Sequence, residues 1–193
     1  MRAAVLALQG DFTAHRRALE ERGLDVIEAR SSAELDAVDA LVLPGGESTT
    51  ILRLLTGDGL ESSLREVISS GVPVLATCAG LILLAREVRT PVQPSLGVLD
   101  VTVARNGYGR QRESTICPVG VIEPAVLGTT AFEGVFIRAP RILAVGAGVE
   151  TLAVRDKDPV LVRQGSTLAA TFHPELSRPS PVLDLFVRMV LER

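Results

Sequence analysis

The feature that most constrains the fold is an alternation of continuous apolar runs with helical segments in the first half of the chain. The runs "AAVLAL" (3–8), "LDVIEA" (24–29), "VDALVLPGG" (38–46) and "VPVLAT" (72–77) predict strands, and the most apolar of them predict strands covered on both faces. The intervening stretches 12–23, 48–55, 60–70 and 79–88 are predicted to be helices. This order predicts βαβ units and an α/β fold with a mostly parallel central sheet.

The pattern changes after residue 90, where short strands separated by turns replace the alternation. Strands are predicted in "LGVLDVTVARN", "GVFIRAP", "RILAVGAG" and "TLAVRDKDPVLVRQGSTLAATF", the last with turns at 156–159 and 164–166. A closing helix is predicted in "PSPVLDLFVRMVLER". Because no linker, repeat or low-complexity tract separates the halves, we expect antiparallel strands in the C-terminal half of the same fold and a single domain over 1–193.

Composition excludes several classes of protein. The aromatic fraction is 3% against 47% hydrophobic residues, so the core is predicted to be aliphatic. A net charge of -3 with mixed signs predicts neither a nucleic-acid nor an anionic-membrane partner. Two cysteines without a CxxC pair or Cys/His cluster argue against a disulfide framework and a structural zinc site, and favour a reducing, cytoplasmic location. The first apolar run meets Asp11 too early for a signal segment or membrane span.

The stretch "PVLATCAGLILLA" (73–85) places Cys78 at the carboxyl end of a predicted buried strand, directly before a helix. Open α/β sheets bind ligands at that edge. The pattern Ala76-Thr77-Cys78-Ala79-Gly80 matches the nucleophile elbow G-x-S-x-G, with Cys for Ser and Ala for the first Gly. The helix N-terminus favours the reactive thiolate, and the Ala79 N–H points where an oxyanion would form. A small buried cysteine filling space beneath the helix is the alternative interpretation of this segment.

The histidine of "TFHPEL" (171–176) is a second candidate for chemistry. His173 and Glu175 are two residues apart in an extended segment, so both side chains point to the same side and the carboxylate can orient the imidazole as a general base and acid. A surface His-Pro-Glu turn is the alternative. The other histidine, His15, lies in a polar segment beside two arginines and is predicted to be a solvated surface residue. Cys117, in "STICPVGVI", is predicted to be a buried strand residue.

The segment "LVLPGGESTT" (41–50) supplies a third candidate. A Gly-Gly turn after a parallel strand lets backbone N–H groups approach a ligand closely and could complete an oxyanion hole. Glu47 places negative charge where a phosphate would sit, and no lysine occupies a P-loop position, so a phosphate cradle is disfavoured. Ser48 and Thr49 also suit N-capping of the following helix, which is compatible with a role in binding.

The cysteine elbow, the Gly-Gly-Glu loop and the C-terminal His-x-Glu, in this order, resemble class I (triad-type) glutamine amidotransferases. More narrowly, the chain resembles the glutaminase subunits of pyridoxal 5′-phosphate synthase. The departures are mild: Ala76 replaces the usual glycine, and the stretches 86–95 and 115–131 are not distinctive. The resemblance spans nearly the whole chain, in "LALQGDF" (6–12), "LPGGESTT" (43–50), "TCAGLILLA" (77–85), "VARNGYGRQRES" (103–114), "FIRAP" (136–140) and "FHPEL" (172–176).

The resemblance implies a three-layer, flavodoxin-like fold that hydrolyses L-glutamine to L-glutamate and ammonia without a metal or organic cofactor. It also implies a hetero-oligomer with a (β/α)8-barrel synthase subunit, which receives the ammonia and makes pyridoxal 5′-phosphate. Carried over by position, the implied triad is Cys78, His173 and Glu175. The implied glutamine-binding residues are Gly46, Glu47, Ser48, Arg105, Ile137 and Arg138, with Gly46 and Ala79 as oxyanion donors.

Glutamine chemistry suits these residue types. Arg105 and Arg138 can donate charge-assisted hydrogen bonds to the α-carboxylate, and Glu47 can accept from the α-ammonium. Strand-end surface charge is the alternative for each arginine. Gln9, in "QGD" (9–11), follows the first strand at the same sheet edge, so a partner docking there could set the orientation of the Gly-Gly peptide.

Two other functions remain open from the sequence. The triad is shared across the class, so the chain could be a glutaminase that serves another synthase. It could also be a non-catalytic, flavodoxin-like binding or regulatory subunit in which Cys78 acts as a redox sensor. Labelling of Cys78 by a glutamine-analogue electrophile separates the second alternative from a glutaminase.

Overall fold

The fold is described from a computed structural model for residues 1–56, 59–107 and 114–193. The predicted motif at 103–114 therefore lies in part, over 108–113, outside the described residues. The strands are β1 Arg2–Leu6, β2 Asp25–Ala29, β3 Ala40–Leu43, β4 Val74–Thr77, β5 Ala85–Arg89, β6 Leu99–Ala104, β7 Thr115–Val121, β8 Ala131–Phe136, β9 Arg141–Val145, β10 Glu150–Arg155, β11 Asp158–Gln164 and β12 Thr167–Ala170. The helices are α1 Phe12–Glu20, α2 Ser48–Leu55, α3 Leu60–Ser69, α4 Ala79–Leu84, α5 Pro124–Leu127 and α6 Pro181–Leu191, with short 3-10 helices at Ser32–Leu35 and Pro174–Leu176.

Within these residues a nine-stranded sheet has the order β2-β1-β3-β4-β12-β11-β10-β7-β8. The first five strands in that order run parallel, and the pairs from β12 to β8 are antiparallel. A smaller sheet pairs β5 parallel to β6, and β6 antiparallel to β9. The mostly parallel sheet with antiparallel strands in the C-terminal half is therefore confirmed. In that half, β12 and β6 also have parallel neighbours, since β12 pairs parallel to β4 in the large sheet and β6 parallel to β5 in the small one.

Helices cover both faces of the large sheet, as the unbroken apolar runs predict. In β1, Ala4 and Leu6 belong to one buried cluster and Ala3 and Val5 to the other, because successive side chains point to opposite faces. The first cluster includes residues of α2, α3 and α4, and the second includes residues of α1 and α6. The result is three layers, with aliphatic side chains dominating both interfaces.

The parallel pairing brings four chain segments to one edge of the sheet. The segments that follow β1, β3, β4 and β12 leave the sheet at the carboxyl ends of adjacent strands. Three of the sequence candidates, the Gly-Gly-Glu loop, Cys78 and His173, lie on these segments, and Gln9 lies on the fourth. The topology thus assembles residues far apart in sequence at the edge where open α/β sheets bind ligands.

Two sequence predictions are wrong in part. The helix predicted over 79–88 ends at Leu84, and Ala85 has extended backbone angles (φ -54°, ψ 143°). The last turn of the predicted helix is instead part of strand β5, which pairs with β6. Tertiary contacts therefore override the local helical pattern. Cys117 lies in a strand, as predicted, on the β7 face that packs against the core beside Val119, but the residue is only half-buried. Burial nevertheless raises the pKa of the Cys117 thiol.

The helices in the described part of the chain are short. The longest, α6, has 11 residues, and none of them is both long and apolar enough to cross a membrane.

Candidate active site

Cys78 occupies the sharp turn between β4 and α4. Its backbone angles, φ 48° and ψ -102°, lie outside the ordinary regions for a residue with a side chain. The Cys78 N–H donates to the Ala170 carbonyl at 2.8 Å, which ties the turn to the neighbouring strand β12. The thiol lies 3.9 Å from the Ile137 carbonyl oxygen. The predicted elbow is therefore present, with the backbone strain that such nucleophile turns carry.

The glycine two positions after Cys78 is required by packing. A Cβ placed on Gly80 would lie 2.1 Å from the Leu43 carbonyl oxygen. Only glycine allows α4 to start this close to the end of β3. The close approach sets the first turn of α4, including Ala79, directly behind the thiol.

His173 and Glu175 form a buried hydrogen-bonded pair. His173 Nδ1 and Glu175 Oε1 are 2.7 Å apart, and the Glu175 side chain is 0% exposed. The His173 N–H donates to the Val135 carbonyl at 2.9 Å, and Glu175 sits in the short 3-10 helix after β12. These anchors fix the imidazole from the backbone and from its ring nitrogen, as a general base or acid requires.

Electrostatics favours a charged imidazole beside an ionised carboxylate. Burial alone would lower the pKa of His173, but hydrogen bonds to Cys78 and Glu175 and their negative charge outweigh burial and raise it to about 10. Burial alone would raise the pKa of Glu175, but the two histidines His15 and His173 outweigh burial and lower it to about 2.

The Gly-Gly loop lies against both Cys78 and the His173 imidazole. A Cβ on Gly45 would lie 2.5 Å from His173 Cε1 and 3.4 Å from the Cys78 Cβ. The loop is held on its other side by the segment after β1, since Gln9 Oε1 accepts from the Glu47 N–H at 2.5 Å. The Asp11 N–H donates to the Gly45 carbonyl at 3.3 Å. Glycine at 45 is therefore what lets the loop approach Cys78 and His173.

A cavity of about 210 Å³ opens in front of Cys78 and His173. All six predicted glutamine-binding residues line it together with these two, whereas Glu175 lies behind His173 and Gln9 contacts the loop from the side. Ala79 is buried at the start of α4. The lining residues are Asp11, Gly45, Gly46, Glu47, Ser48, Cys78, Ile82, Arg105, Asn106, Ile137, Arg138, His173 and Leu176.

The cavity carries a paired set of charges. Arg105 donates to the Glu47 carboxylate, so one wall presents a cation and an anion side by side. Arg138 adds a second cation. Its backbone φ is 45°, a value that residues other than glycine rarely adopt. Such a wall suits a zwitterion, whose carboxylate and ammonium can each meet the opposite charge.

The capping interpretation of the "ESTT" segment is wrong. Glu47 holds the N-cap position of α2 and makes no side-chain cap hydrogen bond. Ser48 is already inside the helix, and its buried hydroxyl donates to Gln93 Oε1 at 3.0 Å. Thr49 donates to the Glu47 carboxylate at 3.4 Å. These hydroxyls hold cavity residues in place, and no sequence signal points to Gln93, which lies in the undistinctive stretch 86–95.

The prediction for His15 is also wrong. Its side chain is fully buried, with Nε2 3.1 Å from Thr77 Oγ1 and 3.2 Å from Glu175 Oε2. The local sequence is polar, but the fold delivers two polar partners from β4 and the segment after β12, so the imidazole can be buried with its Nε2 satisfied. Within the described residues, no three His, Cys, Asp or Glu side chains group in a way that could hold a metal ion.

Comparison with known proteins agrees with this geometry. The family model described as the SNO glutamine amidotransferase family matches residues 5–192. A Koribacter versatilis protein named pyridoxal 5'-phosphate synthase subunit PdxT is 51% identical over 98% of this chain and 96% of its own length. A protein of the same name from Thermotoga maritima is 48% identical over 98% of this chain and 100% of its own length.

Solved structures agree on the fold. A crystal structure described as a glutamine amidotransferase matches with a TM-score of 0.88 and 44% identity, covering 97% of this chain and 98% of that one. A structure of PurLQS from Thermotoga maritima matches with a TM-score of 0.73 at 16% identity, covering 99% and 97%, and so shares the fold alone. The predicted three-layer, flavodoxin-like glutamine amidotransferase fold is confirmed. The chain belongs to the SNO glutamine amidotransferase family.

Proposed function

We propose that this chain is the glutaminase subunit of a pyridoxal 5′-phosphate synthase. It hydrolyses L-glutamine to L-glutamate and ammonia and supplies the ammonia to a (β/α)8-barrel synthase subunit in a hetero-oligomer. The observation that carries the proposal is Cys78 on a strained elbow beside the His173–Glu175 pair, facing a cavity with paired charges. The names of the full-length relatives support the choice of synthase. We further propose that residues 1–193 act as one domain and that the protein is cytoplasmic.

The first half-reaction forms a thioester. The Cys78 thiolate attacks the γ-carboxamide carbon of glutamine, and the carbonyl π electrons move to oxygen to give a tetrahedral oxyanion. Backbone N–H groups of Gly46 and Ala79 donate to that oxyanion. His173, as imidazolium, protonates the departing nitrogen, and the carbon–nitrogen bond breaks to release ammonia and leave a γ-glutamyl thioester.

The second half-reaction uses the same groups in reverse. Neutral His173 takes a proton from water as the water oxygen attacks the thioester carbonyl. The carbon–sulfur bond then breaks, which restores the thiolate beside the imidazolium and releases a γ-carboxylic acid that gives its proton to solvent to become glutamate. Glu175 stays ionised and holds the imidazole through Nδ1 in both halves.

We expect replacement of Arg138 by Ala to raise KM for glutamine about ten- to hundredfold while kcat changes little. The guanidinium contacts the unreacting α-carboxylate in both ground and transition states, and a hydrogen bond to a charged group is worth about 1.5–3 kcal/mol. Arg105→Ala should also raise KM, because it leaves Glu47 without its cation. Steady-state kinetics with varied glutamine measures this. Arg163→Ala, at a surface pair with Glu150, is the matched control, and unchanged KM in both site variants would contradict this pocket.

Partner control follows from the contacts of the segment after β1. Asp11 N–H holds the Gly45 carbonyl, and a planar trans peptide directs the Gly46 N–H to the opposite side of that peptide. Gln9 holds the next N–H in the loop, at Glu47. A synthase subunit that docks on 9–11 would therefore act directly on the proposed oxyanion donor.

We expect the isolated chain to hydrolyse glutamine weakly and the synthase subunit to raise kcat/KM at least tenfold, about 1.4 kcal/mol of barrier. Gln9→Ala should weaken this activation because the loop loses its hydrogen bond to the docking segment. Glutamate production by the chain alone and by the mixture measures the effect. Gln164→Ala, which removes a glutamine outside the cavity, serves as control. Equal rates with and without the partner would contradict the gating idea and leave the triad standing.

One experiment tests the function as a whole. Glutamate and ammonia should form in equal amounts from glutamine, and a glutamine-analogue electrophile should label Cys78 stoichiometrically. Absence of both products in the mixture with the synthase subunit would refute the glutaminase. Labelling by peroxide alone, without products, would identify the redox-sensor alternative. If glutamine turnover required a different synthase and did not occur with the pyridoxal 5′-phosphate synthase subunit, the chain would be a glutaminase that serves another synthase.

A further inference from the structure

The catalytic carboxylate has a second histidine on its far side. Glu175 presents Oε1 to His173 and Oε2 toward His15, and both side chains in the second contact are 0% exposed. His15 Nε2 meets Thr77 Oγ1 with hydrogen-bond geometry at 3.1 Å and lies 3.2 Å from Oε2. Within the part of the chain that is described, Oε2 accepts no hydrogen bond, so the 3.2 Å approach of His15 Nε2 is an electrostatic contact. A buried carboxylate oxygen without a donor is costly, so this contact matters to where the carboxylate rests.

The tautomer of His15 follows from its surroundings. Nδ1 is buried and has no hydrogen-bond partner among the described residues, whereas Nε2 faces two oxygen acceptors. An unpaired buried N–H costs more than an unpaired lone pair, so the ring proton resides on Nε2. His15 therefore donates from Nε2 to Thr77 Oγ1, and the same polar Nε2–H group lies against Glu175 Oε2 as an electrostatic contact.

This position links two halves of the site. Thr77 directly precedes the nucleophile Cys78, and Glu175 orients the base His173. The His15 imidazole, from α1, contacts both Thr77 and Glu175. We propose that His15 is a positioning residue that holds Glu175 through Oε2 and ties it to the elbow, so that His173 is kept at the working distance from Cys78. The inference rests on the proposed function for its kinetic readout, but its geometry and its chemical readout stand without it.

We expect His15→Leu to lower kcat about tenfold or more in the complex with the synthase subunit while KM stays within about twofold, since misplacing a catalytic group affects chemistry more than binding. His15→Gln retains an amide N–H near the position of Nε2 and should recover most of kcat. Ala18→Gly, which weakens the same helix without touching Glu175, is the matched control and should leave kcat unchanged. Circular dichroism verifies that each variant is folded at the assay temperature.

A second readout does not depend on glutamine turnover. Alkylation of Cys78 by iodoacetamide reports the thiolate held by His173, and peptide mass spectrometry separates it from Cys117. His15→Leu should alkylate at Cys78 several-fold more slowly than the native chain, and His15→Gln should match the native chain. Equal rates of turnover and of alkylation in His15→Leu and the native chain would overturn the proposal, as would equal losses in the Leu and Gln variants. If the native chain makes no glutamate, the proposed function fails, and the alkylation rates still decide the role of His15.

Discussion

Cys78→Ser abolishes glutamine hydrolysis in the complex, with turnover falling roughly 10³-fold or more, while the chain remains folded: this is the largest effect that we expect. A serine hydroxyl has a far higher pKa than a thiol and is not ionised by a neighbouring imidazolium. Serine nearly matches cysteine in size, so the strained turn at φ 48° and its hydrogen bond to Ala170 can be retained. The loss should therefore be chemical and not structural.

The measurement is glutamate release by the purified variant with the synthase subunit, together with calorimetric binding of glutamine. Binding should persist, because the paired charges of Arg105 and Glu47 are untouched. Cys117→Ser makes the same chemical change in β7, at a residue that does not line the cavity, and should turn over at close to the native rate. Near-native turnover in Cys78→Ser would remove Cys78 from the role of nucleophile.

The sequence predicts the fold well where physical patterns are local. Apolar runs of β1, β3 and β4 with intervening amphipathic helices are sufficient for a parallel sheet covered on both faces. The elbow is also local: a cysteine among small residues at a strand–helix junction predicts both the tight turn and the close packing at Gly80. His173 and Glu175 do pair, but not through the extended segment that was predicted, because Glu175 lies in the 3-10 helix that starts at Pro174.

Features that could not be predicted from the sequence depend on contacts between distant segments. His15 looks like one more polar residue of α1, because its partners Thr77 and Glu175 come from other parts of the chain. The same holds for β5, which becomes a strand only by pairing with β6. The ion pair between Glu47 and Arg105 could not be predicted from the sequence either, although each residue is predicted separately to bind glutamine. Residue types thus indicate the chemistry, and the topology decides which of them meet.

His173→Ala should be nearly as severe as loss of the thiol, whereas Glu175→Gln should cost less, about 10- to 100-fold in kcat. In the proposed mechanism His173 transfers a proton in both half-reactions, and general acid–base catalysis is worth about 10²- to 10⁴-fold. Among the described residues, the polar contacts of the Glu175 side chain are with His173 and His15, so we expect it to act by orienting and charging the base. Steady-state kinetics of both variants in the complex, with circular dichroism for folding, measures the order. A greater loss in Glu175→Gln than in His173→Ala would exchange the assigned roles.

The role of Glu175 in charging His173 also predicts the direction in which the pH profile of Glu175→Gln shifts. Hydrogen bonding and charge from Glu175 help to raise the pKa of His173 to about 10, so the imidazolium survives well above neutral pH in the native chain. Replacing the carboxylate by a neutral amide removes those contributions, and the pKa of His173 must fall. The basic limb of kcat/KM, where the imidazolium is lost as pH rises, should therefore move to lower pH in Glu175→Gln and stay in place in the exposed control Glu123→Gln. A basic limb that stays fixed, or that moves to higher pH, would show that Glu175 does not charge the catalytic imidazole.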